Sequence, residues 1–261
     1  MIAIARPLGW IGGWFVGGTR AIGQMSLLIE RSFKRAFNRP LQLRNYVYQL
    51  LIIGVRSLPL AAVMAVFAGM VLAFQFGFGL ERFGAKLYIG QTTVTALFRE
   101  LGPILTALVV GGRIGAGIAA ELGVMTVTDQ ISAARVLGAD PFQRFVAPRL
   151  FATTLALPLL GIVADVVGTG GGLLIAWWQY DVPPRLFLQG AADFVTLGDF
   201  ISGLAKMFVF GAVIAVVSCH EGMRARGGGE GVGRATTRAV VESALLVLLL
   251  DFILTKLMIA L

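Results

Sequence analysis

Five stretches of this 261-residue chain stay apolar for about twenty residues or more: 58–79, 100–121, 150–177, 200–219 and 239–260. Wound as helices, runs of that length cover the roughly 30 Å hydrocarbon layer of a bilayer, where every backbone polar group has to be satisfied inside its own segment. The runs are continuous rather than alternating, which excludes a membrane β-barrel. Charged residues make up 14% of the chain and the mean hydropathy is +0.84, against about 25% charged in soluble domains. A soluble enzyme is excluded on that ground. The 34 glycines follow no three-residue period, so they serve helix packing rather than a collagen-like repeat. A single cysteine forms no intramolecular disulfide and no cysteine-based zinc cluster.

Basic residues give the direction. Arg6, Arg20, Arg31, Lys34, Arg35, Arg39 and Arg44, then Arg135, Arg144 and Arg149, then Arg224, Arg226, Arg234 and Arg238 fall on one side of five spans. Only Arg82, Lys86, Arg99 and Arg185 fall on the other. The bias places the N-terminus in the cytoplasm and the C-terminus outside. Residues 1–45 read as an interfacial amphipathic region, because Arg6 and Arg20 flank too short an apolar run and the basic cluster Arg31 to Arg44 suits anionic headgroups. A sixth span or a signal peptide is the competing reading.

Ionisable groups inside a bilayer cost at least about 2.5 kcal/mol each and call for partners or water. At 1.5 Å per residue, Glu100 lies roughly 6 Å and Lys206 roughly 10 Å below the outer face, and Asp251 roughly 18 Å from the inner one. Arg99, Glu100, Lys206 and Asp251 thus share the outer half, with Asp165 near the same level, and two ion pairs are expected within the set. Two readings stand: a partly hydrated cavity open to the outer leaflet, or mutual neutralisation that fixes helix register. In the first span Leu72, Phe76, Leu80 and Phe83 follow at helical spacing, one stripe that suits either a lipid-sized cavity or ordinary packing.

Between spans two and three, ELGVMTVTDQISAARVLGADP (121–141) reads as a short surface helix. Thr126 with Asp129 fits a capping box, Val127, Ile131 and Ala134 form an apolar stripe, Gly138 stands as C-cap, and Pro141 blocks continuation. About eleven residues give a rod of about 16 Å, suited to a groove on another protein.

Other motifs point away from chemistry. Gly111, Gly112, Gly115 and Gly117 follow no strand, so close packing explains them better than a dinucleotide loop; Gly111 with Gly115 and Gly168 with Gly172 have small-xxx-small spacing. No Gly-rich run carries the Lys-Ser/Thr of a phosphate loop, so the chain hydrolyses no ATP. Cys219, His220 and Glu221 point about 100° apart on a helix and cannot chelate as a trio. No catalytic arrangement can be built around the single histidine. Gly227 to Gly233 reads as a flexible, basic-flanked loop.

The run RELGPILTALVVGGRIGAGIAAELGVMTVTDQISAARVLGADP (99–141) resembles the signature of the MlaE family of ABC transporter permeases, and GVGRATTRAVVESALLVLLLDFILTKLM (231–258) is similar to the same family. The resemblance implies an all-α integral membrane protein: an N-terminal interfacial helix, then a five-span permease domain over 46–261 with a cytoplasmic coupling helix within 121–141. It implies an inner-membrane homodimer that moves phospholipid between bacterial membranes and sustains outer-membrane lipid asymmetry. Its implied partners are a separate cytoplasmic ATPase that binds the ATP and Mg, a periplasmic MCE-domain ring and, in many members, a STAS-domain protein; the chain itself needs no cofactor or metal. Lipid would sit at the dimer interface against the first two spans, which assigns Leu72, Phe76, Leu80, Phe83, Arg99, Glu100 and Leu101 to lipid binding. Glu121, Gly123, Asp129, Gln130, Arg135, Gly138 and Pro141 correspond to the coupling segment. Asp129 stands where Glu is common, and Ala134 to Leu137 is less bulky than the family's Met-rich stretch.

Two other classes compete. A self-sufficient secondary transporter would use Glu100, Asp165 or Asp251 as proton relays, although no inverted repeat is visible. A structural anchor for a soluble complex would tolerate loss of Glu100 or filling at Leu72.

Overall fold

A computed structural model describes residues 23–30, 32, 34 and 43–260. The proposed interfacial helix therefore falls largely outside the described residues. No strand occurs among those described; the chain is a bundle of long helices, as the continuous apolar runs require. Helix α1 is Leu43–Glu81, and α2 is the helical run Lys86–Val127. A short α3, Gln130–Val136, leads to α4, Phe142–Tyr180. Helix α5, Pro184–Phe194, joins α4 to α6, Leu197–Met223, and α7 is Gly228–Ala260.

Among the described residues four helices, α1, α2, α4 and α6, are long and apolar enough to cross a membrane. The expected fifth span lies within the 33-residue α7, whose apolar stretch carries Glu242, Asp251 and Lys256. The helices overrun the apolar runs. Segments expected as punctuation are themselves helical: the loop Glu81 to Thr95 already contains the start of α2, Tyr180 to Asp199 contains α5, and most of Gly227 to Gly233 is the first turn of α7. A glycine run loses its looseness once tertiary packing holds it.

Helices α1 and α4 run in the same direction and touch through backbone. A Cβ at Gly69 would fall 1.8 Å from the carbonyl oxygen of Gly168, and one at Gly77 would fall 2.2 Å from the edge of the Tyr180 ring. The Tyr180 hydroxyl donates to the Phe74 carbonyl at 2.8 Å. Helices α2 and α6 also run together, antiparallel to α1: Gly111 packs on Ile214, Gly115 on the Ser218 hydroxyl and Gly222 on Leu122. Both expected small-xxx-small pairs are thus close-packing sites. Helix α7 runs antiparallel to α2, with Val232 beside Gly123 and Val240 beside Gly112. At the opposite end of α4 stand Trp177 and Trp178, the latter 81% exposed.

Helix α2 is not regular. Leu97–Leu101 and Thr106–Gly111 are π-helical turns around Pro103. Such widened turns reposition side chains and recur at functional sites. The first of them carries Arg99 and Glu100.

Candidate functional site

Lys206 is 1% exposed in the middle of the bundle, and its ammonium group has a partner for each of its three hydrogens. It donates to Glu100 Oε2 at 2.8 Å, to Thr255 Oγ1 at 2.7 Å and to the Arg99 carbonyl at 3.0 Å. Thr255 passes its own hydrogen to Glu100 Oε2 at 3.1 Å, closing a ring of hydrogen bonds across α2, α6 and α7. Asp251 Oδ1 lies 3.3 Å from the same ammonium group as an ion pair without hydrogen-bond geometry. Both expected ion pairs therefore exist, and both belong to Lys206.

Arg99 contributes its backbone there and turns its side chain elsewhere. Its Nε lies 3.4 Å from Asp199 Oδ1. Asp199 also closes a capping box at the start of α6: its carboxylate accepts from the Thr196 N–H at 2.9 Å, and its own N–H donates to Thr196 Oγ1 at 3.2 Å. Asp165 joins none of these pairs. It is buried, its Oδ1 has no hydrogen-bond partner among the described residues, and it faces Gly102, where a Cβ would come within 2.5 Å of that oxygen. Sequence reasoning missed Asp199 and Thr255. The T-x-x-D of Thr196 to Asp199 was a visible signal for the first; a lone threonine in an apolar helix gives none.

The charged groups differ in access. Lys206 and Asp251 are buried, whereas the side chains of Arg99 and Glu100 reach out of the packed interior. Beside them, half-buried Leu101 lines an apolar crevice with Met64, Leu97 and Leu105 that has no room for a water molecule. The Leu72, Phe76, Leu80, Phe83 stripe is not one continuous wall. Leu72 is buried, Phe76 is half-buried, and Leu80 packs on the cluster around Ile89, Tyr180 and Phe187. Helix α1 ends at Glu81, so Phe83 leaves the stripe and stands 86% exposed in the following turn. The outward face of α1 instead presents Phe67, Val71, Phe74 and Phe78.

The segment expected to couple to a partner is a helix, but a shorter one. Helix α3 has seven residues, about 10 Å at 1.5 Å per residue. The expected capping box does not form. Thr126 lies inside α2, where its hydroxyl donates to the carbonyls of Leu122 at 2.7 Å and Gly222 at 3.2 Å. Asp129 takes a left-handed φ of 56°, a conformation short polar residues tolerate, and caps nothing through its side chain. A helix ending at Val127 has to turn sharply within two residues, and that turn outweighs the cap.

The expected C-cap is present. Gly138 has φ +79°, its N–H donates to the Arg135 carbonyl at 3.0 Å, and the Ala139 N–H donates to the Ala134 carbonyl at 2.9 Å, a complete Schellman motif. Of the apolar stripe, Ile131 is buried and Val127 and Ala134 are half-buried. Val136 and Leu137, next to the cap, are 87% and 85% exposed. Gln130 and Arg135 are exposed, Pro141 is buried, and Gly123 packs on Val232 and Ala225. Glu121 is exposed and accepts from the buried Arg149 Nη2 at 3.0 Å, joining α2 to the start of α4.

Comparison with known proteins agrees with this architecture. Residues 46–257 match the family described as Permease MlaE. The chain is 40% identical over 238 residues to a probable ABC transporter permease protein of Rickettsia felis, covering 91% of this chain and 92% of that one. It is 40% identical over 215 residues to a probable ABC transporter permease protein of Synechocystis, covering 82% of each. It is also 38% identical over 213 residues to the protein TRIGALACTOSYLDIACYLGLYCEROL 1, chloroplastic, of Arabidopsis thaliana, covering 82% of this chain and 61% of that one. An all-helical bundle with four bilayer-length helices and a match over most of its length is a membrane-embedded ABC transporter permease, and the chain belongs to the MlaE permease family.

Proposed function

We propose that this permease moves phospholipid between the inner and outer membranes of a bacterium. It works as an inner-membrane homodimer whose interface holds the lipid against α1 and α2. In this reading α7 is the fifth crossing, carried by the pairing of Asp251 with Lys206, the N-terminus is cytoplasmic and the C-terminus periplasmic. Arg99 and Glu100 meet the polar head, Leu72, Phe76, Leu80 and Leu101 border the acyl chains, and Phe83 stands at the outer mouth toward an MCE-domain partner. A separate ATPase binds ATP and Mg, docks on α3 and the exposed Val136 and Leu137, and remodels the pocket through its cycle. A STAS-domain protein on that ATPase completes the expected assembly.

The observation that carries this is the division of labour in the charge cluster: Lys206 is satisfied inside the bundle, while Arg99 and Glu100, each ion-paired within the chain, stay partly exposed beside apolar helix faces. That is the amphipathic lining a phospholipid requires. The lipid named in the Arabidopsis relative supports a lipid cargo. Co-purification tests it: the tagged chain should bring down an ATPase and carry phospholipid detectable by mass spectrometry. Glu100→Ala should lower the lipid content while leaving the ATPase bound, and disrupting Asp129 and Gln130 should do the reverse. A chain free of lipid would sink the proposal.

The carboxylate of buried Asp165, whose Oδ1 has no hydrogen-bond partner among the described residues, favours a second reading, proton-coupled transport without a partner. Lipid movement by the purified chain alone, driven by a pH gradient in ATP-free vesicles, would establish that instead.

A further inference from the structure

At the end of the bundle that carries α3, the connection from α6 to α7 forms an open polar recess of about 230 Å³. Arg224, Arg226, Arg234 and Arg238 line it with Glu221 and Gly231. Its shape is built by backbone. Gly227 and Gly228 take φ of +89° and +66°, turning the chain back on itself. Gly231 then packs so closely on the Arg226 carbonyl that a Cβ would lie 1.8 Å from it. On α7, residues 231, 234, 235 and 238 share one helical face, which aims Arg234 and Arg238 at the turn.

The charges in the cavity are not balanced. Glu221 is the one lining carboxylate, Glu230 holds Arg234, and Arg224 donates to His220 Nε2 at 3.0 Å. Among the described residues, Arg226 and Arg238 have no carboxylate within ion-pair distance. Glu242, one turn along α7 from Arg238, interacts electrostatically with Arg238 and Arg224, which leaves Arg226 the least compensated of the four. Converging guanidinium forks match the oxygens of a phosphate group and suit it better than a single carboxylate. A water occupies about 30 Å³ of liquid, so the cavity has room for a hydrated phosphate.

We infer that this arginine-lined cavity binds a phosphate group. It is separate from the Lys206 cluster, so it goes beyond the lipid pocket proposed above. Two sources share this chemistry, a lipid headgroup and a free phosphate. An adjoining apolar pocket that shares Arg224 and is lined by Leu27, Leu28, Phe142 and Met223 offers an acyl chain somewhere to lie.

The test uses the full chain purified in detergent, compared with the Arg226→Gln/Arg238→Gln variant. Both arginines are exposed, so the change removes no buried contact. One arm titrates phosphatidylglycerol and counts bound lipid by native mass spectrometry; the other titrates inorganic phosphate by calorimetry at constant ionic strength. We expect binding about tenfold weaker in the variant, with Arg226→Lys/Arg238→Lys intermediate because it keeps charge but loses the fork. A difference in the lipid arm identifies a headgroup, and one in the phosphate arm alone a soluble anion. Equal binding by variant and wild type in both arms, or none by either, overturns the proposal. So does a variant that binds both probes normally and loses only its co-purifying ATPase, since the arginines would then hold an acidic protein surface. Glu100→Ala as background separates the two sites: it should remove lipid from the interface pocket and leave this phosphate binding intact.

Discussion

Lys206 holds two carboxylates from two different helices with one ammonium group, and that makes it the most sensitive single position in the bundle. Lys206→Met would leave Glu100 and Asp251 without a cation inside the protein. Breaking a buried pair from one side costs about 3 kcal/mol or more. At roughly 2–4 °C per kcal/mol for a chain of this size, the melting temperature in detergent should fall by about 6–12 °C. The triple variant Glu100→Gln/Lys206→Met/Asp251→Asn should recover more than half of that fall, because no charge remains stranded. A triple variant as unstable as the single one would show that hydrogen-bond geometry, not charge, holds the site. Glu100, Lys206 and Asp251 were legible as a group because ionisable residues are conspicuous in apolar runs and helical rise fixes their depth; Asp165, expected at the same level, stays out of it, and Thr255 joins it unannounced. The pairing was not: both carboxylates chose the one lysine, while Arg99 found Asp199 across a cap that sequence places outside the membrane.

At the scale of elements, glycines decide how near helices come. Gly69→Val should abolish the α1 to α4 contact, since its Cβ would overlap the Gly168 carbonyl, and the loss should appear as a collapse in the yield of folded protein. Gly117→Ala meets nothing within contact distance and should raise the melting temperature slightly, by the equivalent of about 0.5–1 kcal/mol. Gly138→Ala, at φ +79°, should lower it by the equivalent of about 1 kcal/mol. A Gly117→Ala chain that fails to fold would mean that the open face is covered in the assembled transporter. The long helices and the Gly138 stop could be read from the chain, because apolar run length and a Gly before Pro are local signals; the short α5 could not. Helix ends could not. The early start of α2, the helix α5 and the first turn of α7 come from packing against neighbours, as Gly90 against the Phe187 backbone shows, and the failed cap at Asp129 comes from a tight turn that no propensity announces.

For the whole molecule, the distribution of exposed apolar surface says where other chains belong. Val136 and Leu137 lie within a closed Schellman turn and cover nothing among the described residues. Val136→Asp/Leu137→Asp should therefore leave the melting temperature unchanged while reducing ATPase co-purification by tenfold or more; a large drop in melting temperature with the ATPase still bound would place the contact within the chain instead. Family and membrane character were legible over almost the whole length, because long motifs and hydropathy are collective signals. Which helix faces meet other chains was not legible, since exposure within one chain does not say what covers it.

The indole pair at Trp177 and Trp178 has a further use. Such rings settle at the level of lipid carbonyls, so the protein carries a built-in depth gauge at one rim. With Trp10 and Trp14 replaced by Phe, brominated lipids should quench the remaining fluorescence most strongly when bromine sits high on the acyl chain. Deep bromines quenching best would move the rim inward and shift the vertical placement of every charge beneath it.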